Sequence, residues 1–160
     1  TLSLHDALPI CLNSTGEAAM EQLMEVSFDV TAQEREAILK PLRAYNLSHT
    51  GDMAFETVGI LLRDPVTEEV VGGLYGKISY GWLFIELLSV PDQLRTQGTG
   101  SRLMRAAEEL ARQHGCTGIW LDTFSFQAPG FYRKLGFTEF GHIADYPPGH
   151  QRHFFQKRLA

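Results

Sequence analysis

The sequence predicts an α+β fold, with one mixed central β-sheet flanked by helices. Three observations predict it. Segments of strand and helix character alternate in the order β-α-β-β-β-α-β-α-β-β, without repeats, low-complexity runs or a long linker. The run WLFIELLSV (82–90) is almost wholly apolar, as a buried central strand requires. Between Ser101 and Gln113, apolar residues fall at Leu103, Met104, Ala107, Leu110 and Ala111, the spacing of a helix with one buried face.

The elements follow in order. EVSFDV (25–30) alternates as a short strand. Thr31 and Glu34 form a capping box that opens a helix through about Leu47, and Pro41 is expected to kink or split it. FETVGILLRDP (55–65) and EVVGGLYGKISY (69–80) read as two strands of an antiparallel hairpin turning at DPVTEE. Gly81 then allows a tight turn into the central strand 82–90. After the amphipathic helix, Gly115 is a natural stop. GIWLDTFSF (118–126) is another strand. PGFYRKLG (129–136) carries the Pro and Gly punctuation of a short helix. FTEFGHIADY and HQRHFFQKRL close the chain as two strands around Pro147-Pro148-Gly149.

Composition narrows the function classes. The 160 residues are 44% apolar and 21% charged, ordinary for one globular domain. The net charge of −5 gives no basic footprint for nucleic acid, and no apolar run reaches the length of a membrane span. Cys11 and Cys116 form no CxxC pair and read as reduced thiols, which favours a cytoplasmic location. TLSLHDALPI (1–10) shows neither helical nor strand periodicity and resembles translated sequencing-adapter read-through. Residues 1–20 are therefore set apart as a non-native or unstructured leader to a single domain over 21–160.

The segment SVPDQLRTQGTGSRLM (89–104) carries the strongest chemical signal. It passes from the central strand to a helix through Arg95, Gly98 and Gly100. A helix start offers unpaired N–H groups and a positive dipole end, which suit phosphate, and glycines let an anion come close. A plain glycine turn explains the same residues. A P-loop is excluded because Ser101-Arg102 follows Gly100 where Lys-Ser/Thr is needed. A dinucleotide fingerprint lacks its third glycine, since Leu103 stands there.

VPDQLRTQGTG (90–100) resembles the acyl-CoA loop of the GNAT family of N-acetyltransferases, with its pattern Arg/Gln-x-x-Gly-x-Gly/Ala. About thirty residues on, FYRKLGF (131–137) is similar to the family's aromatic-Tyr-x-x-x-Gly-Phe segment. The two stand in the family's order with a helix and a strand between them, and the element order agrees from roughly residue 22 onward. The resemblance implies acetyl-CoA as acyl donor and no metal. Leu88, Ser89, Val90, Arg95, Thr96, Gln97, Gly98, Thr99, Gly100, Ser101 and Phe131 would form its binding site. Arg95 to Gly100 would wrap the diphosphate, and backbone groups of Leu88 and Val90 would bond pantetheine between splayed fourth and fifth strands, 82–90 and 118–126.

The resemblance also assigns Tyr132 as the acid that protonates the leaving thiolate, against a packed aromatic beside Phe131. Glu86 has the parity of Phe84, Leu88 and Val90 and is expected on their face. A carboxylate in an apolar run is costly unless paired or functional, so Glu86 is either the amine's base or anchor, or an ion-pair member. Asp122 stands as a substrate contact or an ion-pair partner. Tyr75, Tyr80 and Trp82 wall an acceptor site or pack on the sheet. His150 and His153 are expected on opposite faces, against a shared metal. The expected activity is acetyl transfer to the primary amine of a small molecule, with no nucleic-acid or membrane partner; a homodimer is left open. The alternatives are a protein N-terminal or lysine acetyltransferase, a silent CoA-binding sensor and a nucleotide-binding protein.

Overall fold

In a computed structural model, which describes residues 23–51 and 55–159, the elements follow as α1 (Ala32–Thr50), β1 (Glu56–Arg63), β2 (Val70–Ser79) and β3 (Trp82–Ser89). Then come α2 (Thr99–Gln113), β4 (Gly118–Phe124), α3 (Pro129–Lys134), β5 (Thr138–Ala144) and β6 (Gln151–Arg158). The strands make one six-stranded sheet in the order β1-β2-β3-β4-β6-β5. Only β3 and β4 pair in parallel, joined by the crossover through α2; the other neighbours are antiparallel. The sheet is therefore mixed, as predicted. No helix among the described residues is long and apolar enough to cross a membrane. The leader expected at 1–20, and Cys11 with it, lies outside the described residues.

Two expectations near the start fail. EVSFDV is not a strand: residues 23–30 are exposed throughout and pair with nothing in the sheet. Alternation alone cannot make a strand when no neighbour satisfies its backbone. Pro41 does not split α1, which continues through it. The carbonyl of Ala37, which a proline leaves without a donor, lies on an exposed surface where water can serve it. The capping box does form: the Thr31 N–H donates to Glu34 Oε2 at 2.7 Å, and the Glu34 N–H to Thr31 Oγ1 at 3.2 Å. The described residues fall into two units, divided between Arg43 and Ala44. The sheet, α2 and α3 belong to the second.

The core lies between α2 and one face of the sheet. Leu74 and Ile78 of β2, Leu83 and Ile85 of β3, Ile119 and Leu121 of β4, and Phe155 of β6 meet Met104, Ala107 and Ala111 of α2. Full burial of a side chain such as Leu83 or Ile119 stabilises by about 1.5–3 kcal/mol. Gly118 is required by close approach: a Cβ there would sit 2.4 Å from the Trp82 ring. Lys157 ties three elements together, donating from β6 to Glu108 Oε1 of α2 at 2.6 Å and to the Leu135 carbonyl after α3 at 2.8 Å.

The β2–β3 ladder carries one irregularity. Tyr75 pairs with Leu87 and Gly76 with Ile85, so Glu86 is the extra residue of a β-bulge. The bulge reverses the facing of β3. Leu83 and Ile85 point into the core before it, and Leu88 packs on the core after it. Glu86 therefore does not share the face of Leu88, contrary to the simple parity rule.

Candidate active site

The β3–β4 ladder runs Trp82↔Gly118, Leu83↔Ile119, Phe84↔Trp120 and Ile85↔Leu121, and then stops. Beyond it, Glu86–Ser89 and Asp122–Phe124 diverge, leaving a slot between two backbones. This is the splay expected between 82–90 and 118–126; the strands rank third and fourth because 25–30 is not a strand.

The loop from β3 to α2 closes one end of the slot. Thr96 and Gly98 both take left-handed backbone, φ +65° and +75°, a conformation that costs Thr about 1 kcal/mol or more and glycine nothing. Thr99, Gly100 and Ser101 head α2, and their N–H groups find no acceptor among the described residues. Gly98 faces open space, whereas a Cβ on Gly100 would meet the Phe131 ring at 3.3 Å. The two glycines thus serve different needs: Gly98 supplies the turn, and Gly100 admits Phe131 of α3 beneath the helix start. Arg95 braces the loop, its Nε donating to the Val90 carbonyl at 3.1 Å and its guanidinium meeting Asp92 at 2.7 Å. Gln97 Nε2 donates to the Gln93 carbonyl at 2.7 Å. The Val90 carbonyl, one of the backbone groups of Leu88 and Val90 expected to bond pantetheine, accepts from Arg95 in this structure.

Tyr132 sits beneath the slot, 7% exposed, among Phe131, Phe137 and Phe155. Burial, with a smaller push from the Asp122 charge, raises its phenol to about 12. The hydroxyl makes no hydrogen bond among the described residues, yet no fully buried side-chain polar atom among them lacks a partner. The hydroxyl must therefore reach solvent. Ring packing and an available proton coexist in Tyr132.

Glu86 and Asp122 are the first residues past the last β3–β4 pair, one on each wall of the slot. Each meets a cation from the flanking strand. Glu86 Oε2 lies 2.6 Å from Lys77 of β2, and Asp122 Oδ2 accepts from Arg152 Nε of β6 at 2.6 Å. That hydrogen bond raises the Arg152 pKa further. Arg152 also lies within 6 Å of the Phe124, Tyr146 and Phe154 rings. Lys77 and Arg152 were missed in the sequence because their partners are strands away. Of the three aromatics singled out, Tyr80 and Trp82 line a cleft of about 410 Å³ with Ser79, Trp120, Phe140 and Gln156. Tyr75 is not among its walls and lies 5.9 Å from Lys77. His153 binds Glu139 at 2.9 Å, while His150 stands apart beside Ser125 and Phe126.

The sequence model described as the acetyltransferase (GNAT) family matches residues 18–137. The chain belongs to the GNAT family. Acetyltransferase Atu2258 of Agrobacterium fabrum is 37% identical over 128 residues, 80% of this chain and 93% of its own. Blasticidin-S acetyltransferase of Streptomyces morookaense is 45% identical over 92 residues, 57% of this chain and 68% of its own. The crystal structure of an acetyltransferase from Bacillus cereus superposes with a TM-score of 0.75 at 37% identity, covering 84% of this chain and 98% of that one. The protein is thus a GNAT acetyltransferase, and this family takes acetyl-CoA as its donor. The residues present fit that donor: the left-handed turn and unbonded amides at α2 suit a diphosphate, and the slot offers strand backbone to an extended arm.

Proposed function

We propose that this GNAT protein transfers an acetyl group from acetyl-CoA directly to the primary amine of a small molecule, as a cytoplasmic enzyme. The observation that carries the reading is the end of the β3–β4 ladder, with a carboxylate on each strand just past it and unbonded amides at the head of α2. The kinship with a blasticidin-S acetyltransferase supports a small-molecule acceptor.

Amide N–H groups of Thr99, Gly100 and Ser101 bind the diphosphate, and Arg95 keeps their loop in shape. Leu88 and Ser89 offer backbone to pantetheine, and Phe131 props the helix start. Bound acetyl-CoA supplies a thioester carbon, to which the amine nitrogen bonds as the C–S bond breaks. A protonated amine cannot attack. Glu86 receives the amine's proton through water, while Asp122 holds the incoming cation. Tyr132 remains protonated at neutral pH and donates to the departing sulfur.

The test incubates the protein with acetyl-CoA and a panel of a polyamine, amino-acid amides, an aminoglycoside and peptides bearing free N-termini or lysines. Thiol release is followed, and products are weighed by mass spectrometry. Acetylation of a small amine well above the peptides is expected. Preference for peptides, or CoA binding without thiol release from any amine, overturns the reading.

A further inference from the structure

Both tryptophans of the chain, Trp82 and Trp120, line one cleft on the sheet face opposite α2, with Ser79, Tyr80, Phe140 and Gln156. Four of these six side chains are aromatic and none is charged. Phe140 is 54% exposed and Tyr80 39%, so the rings stand around the hollow instead of filling it. Open aromatic surface is unfavourable in water unless something covers it. The Trp120 plane is fixed by Phe84, stacked with centroids 4.0 Å apart and planes 16° from parallel. A rigid aromatic wall of this kind is complementary to a flat ring, with each aromatic pair contributing about 0.5–1.5 kcal/mol beyond area.

The charges around the cleft set a direction. The Arg158 guanidinium lies 4.6 Å from the Trp82 ring centroid, a cation at the end away from the slot. Asp122 follows Trp120 by two residues on the same face, about 7 Å along β4, and Glu86 stands across the slot from it. A cation is repelled at the Arg158 end. At the slot apex, beside the last pair Ile85↔Leu121, Glu86 and Asp122 are matched by Lys77 and Arg152, so an ammonium finds carboxylate oxygens there without net repulsion. A ligand with a flat ring and an ammonium on a short linker lies in only one favourable sense. Its ring enters the cleft and its nitrogen reaches Glu86 and Asp122.

We infer that this cleft is the acceptor's ring subsite and selects primary amines carrying an aromatic or heteroaromatic ring on a short linker. The inference rests on the acetyl-transfer reading for what happens to the nitrogen, but ring binding can be read without turnover. Because both indoles line the cleft, intrinsic tryptophan fluorescence of the CoA-loaded full chain reports on it. Titration with 2-phenylethylamine should give a saturable change, and cadaverine, a ringless amine, none. Phe140→Ala, at an exposed position, and Trp120→Leu should each weaken 2-phenylethylamine binding by about tenfold. Trp120→Phe, which keeps a ring, should retain affinity within a few-fold, and CoA affinity should be unchanged in all three. No fluorescence response, equal responses to both amines, or insensitivity to Phe140→Ala and Trp120→Leu overturns the subsite. Saturable ring binding with no thiol release from any amine leaves the subsite standing and removes the transfer reading. Equal kcat/KM for both amines, with a silent fluorescence signal, does the reverse.

Discussion

β3 and β4 each have two halves, and the contrast between them underlies the proposed site. From Trp82 to Ile85 and from Gly118 to Leu121 the strands are paired, and Leu83, Ile85, Ile119 and Leu121 are at most 3% exposed. From Glu86 and Asp122 onward they no longer pair with each other, and each second half begins with a carboxylate held by a cation from the flanking strand. The first half packs the core with Leu83, Ile85, Ile119 and Leu121 and turns Trp82 and Trp120 to the opposite face. The second leaves backbone and charge available to a ligand. A single extra residue, Glu86, stands at the boundary, so a sheet can carry a stable core and a binding slot on the same two strands.

Substitutions around the proposed slot and in the paired half should fail differently, and the largest effect belongs to the slot. Removing only the hydroxyl in Tyr132→Phe should lower kcat by about 100-fold, the lower part of the range for general acid catalysis. Acetyl-CoA affinity should stay near wild type; an unchanged kcat with chemistry rate-limiting would remove Tyr132 as the donor. In the paired half, Gly118→Ala forces a Cβ against the Trp82 ring and should cost about 1–3 kcal/mol of stability, read by denaturant titration. The folded fraction of that variant should bind acetyl-CoA normally. Gly100→Val presses on Phe131 and should weaken acetyl-CoA binding by about tenfold, or ~1.4 kcal/mol by calorimetry. A loss of stability with unchanged affinity would make Gly100 a packing residue alone.

Two smaller effects sharpen the contrast. An unfolded tyrosine titrates near 10, whereas buried Tyr132 holds its proton to about 12. Between these values the native state keeps a proton that the unfolded chain has released. Its contribution is therefore complete below about pH 10 and lost as pH rises toward 12. Tyr132→Phe should flatten that alkaline limb relative to wild type. Glu86→Gln breaks an exposed ion pair worth about 0.2–1 kcal/mol, so its melting temperature should barely move. Its activity should fall most at low pH and recover in part as pH rises, because fewer amines then need deprotonation. A uniform loss across pH would make Glu86 an anchor and not a base.

The parts of this arrangement legible in the sequence were those written in consecutive residues. The loop through Arg95, Gly98 and Gly100, the FYRKLGF segment and the succession of elements from residue 55 onward were all visible, because spacing, turn chemistry and periodicity are local. The facing of Leu88 was not, since the bulge at Glu86 is a property of its pairing with Tyr75 and Gly76. The ion pairs of Lys77 and Arg152 were hidden for the same reason: Arg152 lies 30 residues from Asp122. EVSFDV misled in the opposite direction, showing a strand's alternation without a neighbour to pair with.

Lys157 has a mechanical consequence. Its ammonium clamps Glu108 of α2 and the carbonyl of Leu135 just after α3, while its backbone belongs to β6. One helix begins with the three unbonded amides proposed for the diphosphate, and the other carries Tyr132, the proposed proton donor. In the proposed reaction they are the two jaws of a calliper, and the distance to be gauged is the reach of one pantetheine arm. A gauge is only as good as its rivet. Lys157 is that rivet, holding both jaws to the sheet.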